Sequence, residues 1–200
     1  MKTVIHVVLI AAICVVTYFI IESIQQPLRF NAEQGRRYDA TIERLKDIRT
    51  AQIAYRSQHR RFTGCFDTLI DFLNTGSFRV VRIVGDLDDS VAVATGQIFR
   101  DTFFISVRDS LFRTGYVIDS LRYVPFTGGR VEFDLGTANL IAGNVTVNVF
   151  EAKVSNNVLL RGLNPQLLVN FNADRELKTG FAGLKVGSLT EPTNNAGNWE

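Results

Sequence analysis

The sequence predicts an α+β protein: an N-terminal transmembrane helix, a long amphipathic helix, and then a head built on a mostly antiparallel β-sheet. Three observations predict it. Residues 3–21 carry no formal charge, and twelve of them are Val, Ile, Leu or Phe. Apolar residues between 38 and 55 recur at steps of three and four, the spacing of one helix face. Beyond Gly76 the chain turns to β-branched and aromatic runs separated by Gly, Asn and Asp.

The first segment reaches roughly 28 Å at ~1.5 Å per residue, close to the ~30 Å of a bilayer hydrocarbon core. Its twelve strongly apolar residues give an insertion term of about −4 to −7 kcal/mol. Val4, Ile5, Leu9, Ile10, Ile13, Val16, Phe19 and Ile20 are the expected lipid-facing anchor, with Tyr18 near one interface. A cleaved signal peptide fits less well. The apolar run exceeds the usual 7–15 residues, and Glu22-Ser23-Ile24 follows where small residues would mark a cleavage site. A lipoprotein reading of Cys14 meets Ile13 where a small residue is wanted. Lys2 on one side against Arg29, Arg36 and Arg37 on the other would by itself leave the head in the cytoplasm. Long domains translocate regardless of charge, and a Met-Lys start running straight into the apolar stretch is how bacterial signal anchors begin. The expected location is the bacterial inner membrane, single-pass, with the soluble part in the periplasm.

Pro27 is expected to break or kink the chain after the span. Asn31 is the expected N-cap of the amphipathic helix, with Glu33 in its first turn. Tyr38, Ile42, Leu45, Ile48 and Tyr55 form its packing stripe, which Gln52 interrupts and Ala51 and Ala54 widen. Gly64 supplies the turn after it, and Asp67 or Thr68 caps a short helix over residues 69–73. Strands are expected at 78–84, 102–107, 116–118, 121–125, 131–135 and 145–154. Residues 127–130 read as a turn, residues 163–168 as a short helical turn, and the stretch from Thr190 as loop, with Trp199 docked on its own head. The divisions are 1–26 for the anchor, 27–76 for the helical stalk, 77–189 for the β-rich head and 190–200 for the tail.

Composition is that of a folded protein, 46% apolar and 21% charged, and a net charge of +2 argues against a polyanion-binding surface. Chemistry-bearing residues are sparse. His6 lies in the apolar segment, and His59 sits among arginines at a helix end, where terminal carbonyls are its expected partners. No nucleophile-elbow motif accompanies them, and metal-ligand spacings are missing. Asp86, Asp88 and Asp89 lack the distal Glu of a calcium loop. Arg56, His59, Arg60 and Arg61 beside Tyr55 and Phe62 make a basic cluster, read as a solvated helix end or as a contact with anionic lipid headgroups or a partner carboxylate rather than a nucleic-acid surface. Cys65 is expected to be a small buried hydrophobe. No enzyme, cofactor, metal, nucleic acid or small-molecule substrate is therefore expected. Four Asp-Ser/Thr-aliphatic triplets, centred on Thr68, Ser90, Ser110 and Ser120, resemble an O-glycosylation acceptor pattern of some Gram-negative envelopes.

The first 75 residues also carry a family resemblance. The apolar helix running into an amphipathic one, then Ile48-Arg49-Thr50-Ala51-Gln52-Ile53-Ala54-Tyr55, His59-Arg60-Arg61-Phe62-Thr63-Gly64 and Phe66-Asp67-Thr68-Leu69, resembles the N-terminal half of type IV pilins and pseudopilins. The chain has no Gly-Phe-Thr-Leu-Ile-Glu-like peptidase site, and Glu22 lies at the far end of the apolar helix. The resemblance implies a membrane-anchored structural subunit that meets lipid and, through the long helix, copies of itself or partner proteins. The alternative expectation is an anchored binding module whose β-rich head recognises a glycan or peptide.

Overall fold

The computed structural model describes residues 2–84, 99–143 and 145–200. Its element order is α1 (Lys2–His59), α2 (Phe66–Thr75), β1 (Ser77–Val84), β2 (Phe99–Ser106), α3 (Val107–Leu111), a 3-10 turn (Ile118–Arg122), β3 (Asp134–Ala142), β4 (Val145–Ser155), α4 (Asn156–Leu159), α5 (Pro165–Thr179) and β5 (Gly183–Gly187). The α+β class is as expected, with antiparallel sheets following a long N-terminal helix.

The first correction concerns continuity. The helix runs unbroken through Pro27, and Asn31 lies inside it rather than capping a second one. Proline removes a single backbone donor, and here the flanking turns are held by other means. Arg29 donates to Gln25 across the proline, and Gln26 donates to Glu22 in the turn before it, each over one helical turn. The expected boundary at residues 26 and 27 therefore falls within one element.

The stripe expected on the amphipathic part forms the centre of the core. Leu45, Ile48 and Ala51 are fully buried, Tyr38, Ala54 and Tyr55 nearly so, and Ile42 is partly buried against them. Gln52 is fully buried too, and its interruption of the stripe has a physical use. Its amide donates to the Thr63 carbonyl at 2.6 Å and accepts from the Thr63 N–H at 3.2 Å. One side chain thereby satisfies both backbone groups of the loop that reverses the chain, which a buried amide requires. The left-handed residue that ends α1 is Arg60, with φ 61°, not Gly64. Cys65 is exposed and caps α2, correcting two expectations at once. The helix begins earlier than expected because Phe66 docks in the core while Cys65 stays outside.

β3, β4 and β5 form one antiparallel sheet in that spatial order. Asp134↔Lys153 through Ala142↔Val145 fix the first pairing, and Glu151↔Gly187 through Ser155↔Gly183 the second. Phe150, Ala152, Val154, Leu184 and Val186 point into the core beneath α1 and α2. Strands expected at 116–118 and 121–125 are absent. Residues 118–122 instead make a 3-10 turn that buries Ile118 and Leu121, and only Tyr123 makes an isolated bridge, to Glu132. The strand expected at 131–135 starts at Asp134 and runs on to Ala142. β1 and β2 pair separately as a two-stranded ribbon, Ser77↔Ser106 through Val84↔Phe99. Trp199 packs against the core as expected, and the tail bonds to β5 through Asn198 N–H on the Lys185 carbonyl.

Candidate functional site: the exposed half of the long helix and its collar

The described residues contain one helix long and apolar enough to cross a membrane, and its best window has mean hydropathy 1.7 with 0% of it buried against the rest of the chain. Leu9, Ile10, Ile13, Val16, Phe19 and Ile20 are all exposed, as are Val7, Val15, Tyr18 and Ile21. At about 100° per residue these positions cover the whole circumference, so this half is apolar all round rather than striped. Val4 and Ile5 belong to the same helix by backbone. The polar Thr17 adds little cost to an apolar setting, because its hydroxyl donates to the Ile13 carbonyl at 2.8 Å.

The head takes hold of the helix abruptly. Asn164 donates to Gln26 at 3.1 Å, and Phe30 is the first fully packed apolar residue. From Asn164 the helix α5 runs alongside α1. Phe171 meets Phe30 and Tyr38 edge-to-face at 6.1 and 5.7 Å, and the Arg175 guanidinium lies over the Tyr38 ring at 5.8 Å. Arg37 closes the other side. It pairs with Glu33 at 2.7 Å and donates to the carbonyls of Leu159 and Arg161 at 3.0 and 3.1 Å. The Leu159 carbonyl ends α4 and the Arg161 carbonyl lies two residues beyond it, so the guanidinium stands in for a missing helical donor and ties down the turn that follows. α5 is itself well bounded, with Asn164 accepting from the Gln166 and Leu167 N–H groups, Pro165 in the first turn and Gly180 left-handed at φ 67°.

Deeper in the collar, Asn156 is fully buried, accepts from the Tyr38 hydroxyl and donates to Asn172 at 2.9 Å. Burial pushes the Tyr38 phenol above its ordinary range, so it stays a donor throughout neutral pH. Asn156→Ala strands that hydroxyl, and we expect a loss of about 2–3 kcal/mol. A urea midpoint that falls with an unchanged slope checks it. Three-quarters of the way along α1, Arg44 donates to the Ser120 hydroxyl at 2.7 Å and to its carbonyl, and Tyr116 donates to Asp47 at 2.7 Å. Burial first, and the Asp47 bond second, push the Tyr116 phenol well up.

Among the four triplet hydroxyls, Thr68 and Ser110 are exposed. Ser120 is half-buried and already engaged, accepting from Arg44 and donating to the Val117 carbonyl at 2.6 Å. Ser90 lies outside the described residues, as do Asp86, Asp88 and Asp89. At the end of α1 the His59 ring nitrogen Nδ1 is 3.2 Å from the Tyr55 carbonyl, and its ring stacks on Tyr55 at 4.2 Å. The Cys65 thiol is lowered by hydrogen bonds from the Thr68 and Asp67 N–H groups at the start of α2. No group of three metal-ligating side chains occurs among the described residues.

The collar itself was not legible in the sequence. Phe30 falls in the polar stretch after the span, and Asn156 and Asn172 carry no local pattern. The Asn164-Pro165 start and Gly180 end of α5 were the available signals. No family model, curated protein or solved structure matches the chain.

Proposed function

We propose that this chain is a non-catalytic, membrane-anchored structural subunit of a bacterial envelope assembly, single-pass in the inner membrane with its head in the periplasm. One observation carries the reading: a single helix whose first half is apolar on every face and unpacked, and whose second half is sealed into the head without a break. Apolar surface of that extent has two natural covers, lipid and other helices. A helix free at one end and laid on an antiparallel sheet at the other is also the plan implied by the resemblance to type IV pilins. The packing stripe from Tyr38 to Tyr55 is used up within the head, which leaves the exposed half of α1 as the surface for copies of the chain or partner helices.

Cys14, exposed within that half, is a natural reporter. In membranes carrying the Cys65→Ser chain, mild oxidation is expected to give a disulfide-linked dimer that Cys14→Ser abolishes. A chain that stays monomeric under oxidation and under a lysine-reactive crosslinker removes the assembly role. A chain that washes off membranes with carbonate removes the anchor.

A further inference from the structure

The three-stranded sheet is incomplete. β4 is bonded to β3 along Val145–Lys153, but β5 covers only Glu151–Ser155 on the other side. β5 stops at Gly187, whose φ of 73° turns the chain away, and a Cβ there would collide with the Phe150 carbonyl. Among the described residues no backbone hydrogen bond reaches Val145–Val149 from that side. Where β5 would have continued there is a groove. One part, of about 500 Å³, lies between Ile53 and Arg56 of α1, Arg60 just past its end, and the start of β4. A second, of about 240 Å³, continues toward Ser188 and Pro192, and the two share Arg56, Val147 and Asn148.

We propose that this open edge of β4 is a docking slot for an extended peptide bearing acidic side chains, which adds as a strand between β4 and α1 where β5 ends. The backbone geometry supplies the pairing. In an antiparallel strand the N–H and C=O of one residue share a side and successive residues alternate. The Phe150 carbonyl faces the β5 side, so Asn148 and Thr146 present their backbone groups to the slot as well. The open stretch, Val145–Val149, is five residues, or about 17 Å, enough for a peptide of similar length. Charge selects the peptide. Arg56 is held over the Phe62 ring at 5.2 Å, Arg60 ends the helix beside it, and no Asp or Glu lines either part of the groove. Neither arginine enters an ion pair with a described residue. Ile53 and Val145, 49% and 62% exposed, offer apolar contact to the alternate side chains. Edge-to-edge pairing of two copies would set Arg56 and Arg60 against their counterparts, which disfavours a second copy as occupant. The slot does not depend on the anchoring reading, since every residue in it belongs to the head or the packed end of α1.

The test uses the full chain in detergent micelles and the fluorescence anisotropy of two labelled hexapeptides, one alternating aspartate and valine, the other lysine and valine. The acidic peptide is expected to bind at least about tenfold more tightly. Thr146→Pro removes a slot-facing N–H while sparing the β3 ladder, a place where an edge strand tolerates proline, and is expected to cost about tenfold in affinity at an unchanged Tm. Arg56→Glu combined with Arg60→Glu is expected to reverse the preference between the two peptides. Failure of the acidic peptide to bind at millimolar concentration, equal binding of both peptides, or wild-type affinity in a folded Thr146→Pro chain would overturn the proposal. Should the proline variant not fold, an unreversed preference in the double glutamate variant does so instead.

Discussion

Leu45→Asp should leave no folded head. Leu45 is fully buried where α1 meets α2 and the sheet, among Ile48, Leu69, Leu73 and Phe150. Truncation to alanine alone would cost about 2–5 kcal/mol. Aspartate adds an ionised group with no partner in an apolar setting, and such a group either forces its surroundings open or must be protonated to stay. The sum rivals the roughly 5–15 kcal/mol stability of a typical domain. Ile48→Asp, one turn further on and equally buried, should behave alike. The measurement is limited proteolysis of membranes: the variants should lose the protease-resistant head fragment and still sediment with lipid. A resistant head of wild-type size would mean that this stripe faces a partner rather than the chain's own core.

Ile10→Arg together with Ile13→Arg should release the chain from the membrane. Both side chains are more than half exposed, near the middle of the 19-residue apolar run. Each arginine near the centre of a span costs about 2.5–3.5 kcal/mol, and each isoleucine removed forfeits about 0.3–0.6 more. Two such changes offset the whole −4 to −7 kcal/mol insertion term of the run. Carbonate extraction should move the doubly substituted chain to the supernatant and retain the parent in the pellet. Because the substituted positions lie well before Phe30, where the core begins, the head should keep its Tm in both. Retention of the variant in the pellet would point to the head, not the helix, as the membrane-binding part.

The two halves of α1 were readable from the sequence for different reasons. The first is uniformly apolar, and the second repeats at helical spacing, so neither needed tertiary information. β4 was equally plain, because Val145, Val147, Val149 and Phe150 carry strong strand preference. β3 was not: Gly136, Thr137, Ala138 and Asn139 have weak preferences, and their extended form comes from pairing with β4. The opposite error arose at residues 116–125. Their apolar residues suggested strands, but Ile118 and Leu121 reach the core from a 3-10 turn and Val124 from just beyond it, and Arg44 clamps the turn from α1. Gln52 and Asn156 show the general obstacle. Each is polar where a pattern asks for apolar, and its partner lies 11 residues away in one case and 118 in the other.

The continuity of α1 through Pro27 has a mechanical consequence. Fifty-eight residues in one helix make a rod about 87 Å long, with no slack between its apolar half and the head. Some 45 Å of that rod lies beyond Phe30, so with the apolar half in a bilayer as proposed, a tilt of about 20° would swing its far end sideways by roughly 15 Å. Conversely, any pull on the head would then be delivered to the lipid as torque. Under the proposed anchoring the protein would act as a lever whose fulcrum is the membrane surface, and local bilayer thickness would become a control on where the head points.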